Sequence, residues 1–234
     1  MNRQSNVYTV IYIIVLVAVV GAALAFTSMS LKDRQNDNMA ADKMRQILAS
    51  VHIVPADKGD IIPEFKRVIT AQYIVNSDGE RVDGDAFAVN MAAEVRKPVA
   101  ERQLPVYEAT LDGDVRKYIL PVYGAGLWGP IWGYMALDAD GSTVYGAFFA
   151  HQGETPGLGA EIEKPFFSDR FQGKHMFKGD TFLPIAVVKA GQKPSGDEDY
   201  VDGISGGTIT SKGVGAMIDD CLRPYASFLQ KVSK

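Results

Sequence analysis

From Val7 to Phe26 the chain runs for 20 residues without one charged side chain. A helix of about 20 residues spans the roughly 30 Å hydrocarbon core of a bilayer, and no other apolar run in the sequence approaches this length. The stretch reads as a single-pass membrane anchor. The competing reading is a cleaved signal peptide, because Arg3 precedes the run and Ala23-Leu24-Ala25 resembles a small-residue cleavage site. Signal cores are shorter, about 7–15 residues, so a retained anchor is favoured. Charge does not settle the orientation. Lys32, Arg34, Lys43 and Arg45 follow the span against Arg3 before it, and so short an N-terminal tail gives the lysine–arginine rule little purchase.

Composition excludes several classes for the rest of the 234 residues. With 24 basic against 28 acidic residues and a net charge of -4, the chain lacks the basic surplus of a nucleic-acid binder, and no nucleic-acid partner is expected. One cysteine with three histidines forms no internal disulfide and is poor material for a structural zinc site. At 10% aromatic residues most of the chain has a folding composition.

The expected organisation is a short tail (1–6), a transmembrane helix (7–26) and one soluble domain (27–234). Asn36–Val51 has helical apolar spacing through Ala40, Met44, Ile47, Leu48 and Val51. A second helix is expected from Asp85 to about Lys97, ended by Pro98. Strand-like runs cover Arg67–Val75, Tyr118–Val122, Ile131–Leu137, Thr143–Phe149 and Leu183–Lys189, with Asp138-Ala139-Asp140-Gly141 as a hairpin turn. Gly191–Asp199 reads as a polar linker. The last helix, Ser211–Gln230, places Val214, Met217, Ile218, Leu222, Tyr225, Phe228 and Leu229 on one side, with Pro224 as its kink or break. The fold class is α+β, a mixed or antiparallel sheet with flanking helices behind one membrane helix.

Three segments have a composition that suggests chemistry. Gly124–Gly133 (GAGLWGPIWG) is dense in glycine and tryptophan. It reads as a tight turn with aromatic core residues, or as glycine backbone open to a flat ligand between the apolar walls of Leu127 and Trp128. His151–Gly159 (HQGETPGLG) follows a strand and carries polar groups on a loop fixed by Pro156 and glycines. His151 and Glu154 alone make no metal site, and no metal is expected. Asp202–Ser211 (DGISGGTITS) runs into the last helix. A glycine- and hydroxyl-rich loop at a helix start suits phosphate, although it lacks a P-loop lysine and dinucleotide glycine spacing, and an ordinary N-capped helix fits it too.

Asp202-x-x-Ser205-Gly206-x-Thr208 resembles the flavinylation motif Asp-x-x-Ser/Thr-Gly-Ala-Thr, on whose threonine a flavin transferase places FMN. Gly207 stands where that motif usually has alanine. The other two segments resemble the Gly-Leu-Trp-Gly and His-x-x-Glu-Thr-Pro-Gly-Leu-Gly blocks of the same proteins. Together with the anchor they are similar to the C-type subunits of sodium-translocating NADH:quinone oxidoreductases, whose pattern is largely shared by the G-type subunits of Rnf electron-transport complexes.

The resemblance implies an electron-carrying subunit with no NADH site of its own. It also implies FMN on Thr208 Oγ1 as a phosphoester, formed in a reaction that uses FAD and Mg²⁺ and releases AMP. Implied partners are the other subunits of a membrane reductase, the flavin transferase during maturation, and the membrane itself. The soluble domain is expected on the periplasmic side of the bacterial inner membrane. Leu127, Trp128 and Leu158 are expected to wall the ring and Glu154 and Thr155 to hydrogen-bond its polar edges, with Gly159 also expected to bind the cofactor. Ser205, Thr210 and backbone N–H groups are expected near the phosphate, Asp202, Gly206 and Gly207 among the cofactor-binding residues, and Lys189 as a charge near the ring. A flavin-free, membrane-anchored assembly module with the same fold is the alternative of a different class.

Overall fold

The computed structural model describes residues 6–233; Arg3, the rest of the tail to Ser5, and Lys234 lie outside the described residues. Two compact units divide the chain, Met1–Lys43 and Met44–Lys234.

The first unit contains most of helix α1 (Asn6–Ala49). None of its described side chains is buried, and the helix is long and apolar enough to cross a membrane. The expected anchor and the expected helix at Asn36–Val51 are one continuous helix of 44 residues. No proline or glycine stands between Gly21 and Ala49 to interrupt it. At 1.5 Å per residue it is about 66 Å long, roughly twice what the hydrocarbon core requires. It ends where His52 turns to a φ of 62°.

The second unit is built on a six-stranded sheet. After α2 (Ile61–Val68) come β1 (Ile69–Val75), β2 (Arg81–Val82), the single-turn α3 (Met91–Glu94), β3 (Leu104–Leu111), β4 (Val115–Ala125), β5 (Pro130–Asp138) and β6 (Val144–His151). The sheet order is β2-β1-β3-β4-β5-β6 and every neighbouring pair is antiparallel. Beyond it lie α4 (Pro165–Ser168), the ribbon β7 (Phe177–Lys178) with β8 (Thr181–Phe182), a parallel pair β9 (Ala186–Val188) with β10 (Tyr200–Asp202), α5 (Thr208–Leu222) and α6 (Ala226–Val232).

Both faces of the sheet are covered. Alternate residues of β4 enter two cores: Tyr118, Leu120 and Val122 meet Val214, Met217 and Ile218 of α5, whereas Ile119 joins Ile47, Leu48, Phe65 and Val68 from the end of α1 and from α2. A strand buried on both faces reads as a continuous apolar run, which is how Tyr118–Val122 looks in the sequence. The hairpin at Asp138–Gly141 forms as expected. Pro224 ends α5, and a short 3₁₀ turn passes the chain to α6.

The structure corrects several boundaries. Arg67 and Val68 belong to α2, not to a strand. Only Met91–Glu94 is α-helical in the segment expected to be helical from Asp85 to Lys97, because the Asp85 and Asn90 carboxyl and amide oxygens accept the Phe87 and Ala92 N–H groups and restart the chain twice. Pro184 separates β8 from β9, so Leu183–Lys189 is not one strand.

Helix α5 lies directly on the end of β4. An added Cβ on Gly124 would come within 2.8 Å of Met217 Cβ, and one on Gly213 would strike the Ala125 carbonyl. Beyond Ile119 strand β4 pairs only with β5, so the Tyr123 backbone faces the helix. Its N–H donates to Cys221 Sγ and its carbonyl accepts from the same thiol, both at 3.3 Å. Burial pushes the Cys221 thiol up to about 12, against the Tyr123 N–H, which lowers it.

Candidate functional site

Three loops from distant parts of the chain meet at the start of α5. The first joins β4 to β5. Gly126 N–H donates to the Gly129 carbonyl at 2.8 Å, and this closed turn throws Leu127 and Trp128 outward, 49% and 70% exposed. The second follows β6. Glu154 N–H donates to His151 Nδ1 at 3.1 Å, and the Thr155 carbonyl accepts the Leu158 and Ala160 N–H groups. This leaves Thr155 and Leu158 exposed and Gly159 buried. The third connects β10 to α5. Gly207 N–H donates to the Ile204 carbonyl at 3.0 Å, and Gly206 takes a φ of 80°, a conformation that favours glycine.

Glu154 ties the three together. Only 5% exposed, it accepts the Trp128 N–H on Oε1 at 2.8 Å and the Thr210 hydroxyl on Oε2 at 2.6 Å. Gly126 and Gly159 flank the carboxylate so closely that a Cβ on either would collide with it. Burial works to raise the Glu154 pKa, but the Thr210 hydroxyl, the Trp128 and Leu127 amides and the nearby His151 ring outweigh it and hold the group below its usual range. The side chain expected at a polar edge of the ring is therefore placed as an internal brace. Thr210, expected beside the phosphate, is 1% exposed and serves the same brace.

The four hydroxyls of the third loop divide into two pairs. Thr210 and Ser211 are buried, and Ser211 Oγ accepts the Ile204 N–H at 2.8 Å. Ser205 and Thr208 are exposed. Thr208 is the first residue of α5, with Gly207 as its N-cap and no side-chain cap bond. The helix's own ladder begins at Ser211 N–H, which donates to the Gly207 carbonyl at 2.9 Å, so the N–H groups ahead of it take no partner from that ladder. Asp202 Oδ1 accepts the Gly191 N–H at 3.2 Å, and Arg170 donates to the Asp202 carbonyl at 2.6 Å. Asp202 is thus half-buried, with its carboxylate tied to the Gly191 amide.

At Gly207 φ is -103°, which any residue adopts, so its glycine is explained by space. A Cβ there would lie 3.1 Å from the Leu158 carbonyl carbon and oxygen, and a small shift of that backbone would admit alanine. Leu158 also covers Gly206, its Cδ2 lying 2.6 Å from where a Cβ would stand. Lys189, just after β9, lines a cavity of about 160 Å³ together with Ser205, Gly206 and Thr208, and Leu127, Trp128 and Leu158 are not among its lining residues. Two residues that pattern reading did not single out complete the surroundings. Ile209 is 59% exposed beside Thr208, and Lys212 lines the same cavity as Lys189. Their signal was present: an apolar residue in a helix's first turn on its open side, and a cation one turn after Thr208.

An exposed apolar ledge, a glycine-shaped turn, and an unblocked hydroxyl at a helix start define a domain that binds a flat cofactor with a phosphate tail. The FMN-binding domain family model matches residues 126–223, which takes in all three loops. The likeness to known proteins extends over nearly the whole chain. The chain is 33% identical to the C subunit of the Na(+)-translocating NADH-quinone reductase of Vibrio anguillarum, over 99% of this chain and 96% of that one. The crystal structure of the corresponding C subunit from Parabacteroides distasonis aligns with a TM-score of 0.79 at 48% identity, covering 85% of this chain and 96% of that one. The crystal structure of Shewanella oneidensis NqrC shares the fold, with a TM-score of 0.69 at 24% identity over 83% and 98% of the two chains. The chain belongs to the family of C-type subunits of the Na(+)-translocating NADH-quinone reductases, and of the two related complexes its motifs resemble, this is the one its relatives identify.

Proposed function

We propose that this chain is the membrane-anchored, electron-carrying C subunit of a sodium-translocating NADH:quinone reductase, with FMN attached through its phosphate to Thr208 Oγ1. The observation that carries the assignment is the division of the four hydroxyls: Thr210 and Ser211 are buried and hydrogen-bonded, whereas Thr208 stands exposed at the start of α5. Ser205 is also exposed, and the motif count from Asp202 selects Thr208 over it. The exposed position suits a maturation enzyme, because a flavin transferase must reach the acceptor oxygen.

The residues present fit FMN. Leu127, Trp128 and Leu158 offer the ring apolar surface, Thr155 offers a hydroxyl for a polar edge, and Ser205, Gly206 and the helix start face the phosphate. When bound, FMN supplies reversible electron acceptance. The protein supplies position and local charge, which tune the potential. A phosphodiester keeps a negative charge, which the N-terminus of α5 stabilises by about 0.3–1 kcal/mol at an exposed site. Tethering also removes the entropic cost of rebinding, so the carrier stays loaded at any free FMN concentration.

Val7–Phe26 would cross the bacterial inner membrane and place the soluble domain on the periplasmic side, among the other subunits of the reductase. Protease added to spheroplasts should digest the domain, and protection would reverse the orientation. The attachment is tested by gel fluorescence of the denatured protein. Thr208→Ala should lose the fluorescent band and electron flow through the complex while Thr210→Ala keeps the band. A wild-type chain with no band, expressed with the transferase, would leave the flavin-free assembly module as the reading.

A further inference from the structure

The cavity beside Thr208 carries a charge pattern that folding does not use. Lys189, just after β9, and Lys212 of α5 both line it, with Ser205, Thr208 and Ser211 and no carboxylate, while Lys212 also borders the neighbouring hollow that Glu198 and Asp219 line. The cavity beside Thr208 is a cationic spot on a chain with a net charge of -4. Among the described residues neither ammonium forms an ion pair, and both lysines are exposed. Lys212 follows Thr208 by four residues in the same helix, so the two side chains are neighbours on one face. The volume of about 160 Å³ is well below the roughly 300–1,000 Å³ that encloses a whole ligand. A cavity of that size has room for a phosphate and the start of a sugar chain, and not for a tricyclic ring.

We propose that Lys212, with Lys189 across the cavity, forms the counter-charge seat of the flavin's phosphodiester, holding the tether in this pocket and sending the ring outward over Leu158. The inference rests on Thr208 being the attachment point. Lys212 is a positioning residue: it acts on where the tether lies and leaves electron transfer to the ring. Its contribution adds to the helix N-terminus, since both act on the same negative group.

Amine acetylation of the full chain in detergent, read by peptide mass spectrometry, tests this. The flavin-loaded wild type is compared with the unloaded Thr208→Ala chain. Loading should slow acetylation of Lys189 and Lys212 by about threefold or more, a charge-assisted hydrogen bond discounted for exposure, and leave Lys66 on α2 unchanged. A charge readout separates pairing from simple cover by the ring. Loading should raise the melting temperature less in Lys212→Met than in Lys212→Arg, and the difference should shrink at high salt. Equal acetylation rates in the loaded and unloaded chains, or equal melting shifts in the two variants, would overturn the seat while leaving the Thr208 ester in place. Protection of the unloaded chain by vesicles containing anionic lipid, with none from flavin, would overturn it in favour of membrane headgroups. FMN found on a residue other than Thr208 in the same peptides would overturn the attachment reading itself, and the seat with it.

Discussion

The two ends of α5 follow opposite rules. Toward Leu222 its apolar residues point into the sheet, and even the Cys221 thiol meets both backbone groups of Tyr123. At Thr208 the pattern inverts. Ile209 is exposed, as are Leu158, Leu127 and Trp128 on the two neighbouring loops, and the buried positions are taken by the polar Thr210 and Ser211. The first end is arranged for stability. The second exposes apolar surface and keeps its polar groups for bracing, which is unfavourable for an isolated fold and sensible for a surface that a cofactor covers.

That contrast can be broken at either end, and the largest effect belongs to the packed one. Met217→Ala should destabilise the full chain by about 2–5 kcal/mol in denaturant unfolding, since Met217 is 2% exposed against β4. A loss below about 1 kcal/mol would mean that the helix sits loosely on the sheet.

Glu154→Gln should cost about 1–3 kcal/mol, because a neutral amide loses the charge assistance in the bonds that the carboxylate accepts from the Trp128 N–H and the Thr210 hydroxyl. The effect should depend on pH. The folded-state pKa of Glu154 is depressed below its ordinary 4.5, so its stabilisation is fully present above the unfolded value and lost as pH falls through the folded one. Stability of the wild type should therefore drop below about pH 4.5 more steeply than that of Glu154→Gln. Parallel curves would remove the brace from the account.

The smallest stability effects are expected on the ledge. Leu158→Ala and Ile209→Ser should each change stability by about 0.5 kcal/mol or less, because these side chains are 42% and 59% exposed. Leu158→Ala should nonetheless keep the covalent flavin and shift its absorbance spectrum. Loss of the flavin instead would mean that the transferase reads this loop.

Much of this was legible in the sequence, for reasons that differ by element. The anchor, the β4–β6 run and the break at Pro224 announce themselves through hydrophobic length, β-branched composition and proline geometry. Strand β3 does not, because Pro105 near its start and Glu108 and Thr110 further on break the apolar run that a strand buried on both faces would show. The three site segments stood out by glycine content, but the role of Glu154 could not be read locally. Its hydrogen-bond partners lie 26 and 56 residues away. The tie among the four hydroxyls was broken by motif in the sequence, and burial supplies a separate reason for setting Thr210 and Ser211 aside.

The central claim is that the open end of α5 is arranged around a flavin held on Thr208. Fragmentation mass spectrometry of the peptide spanning Asp202–Lys212, taken from the native complex, reads it directly. The account predicts one FMN phosphoryl adduct on Thr208, with Ser205, Thr210 and Ser211 unmodified. An adduct on any of those three, or none at all, would contradict it.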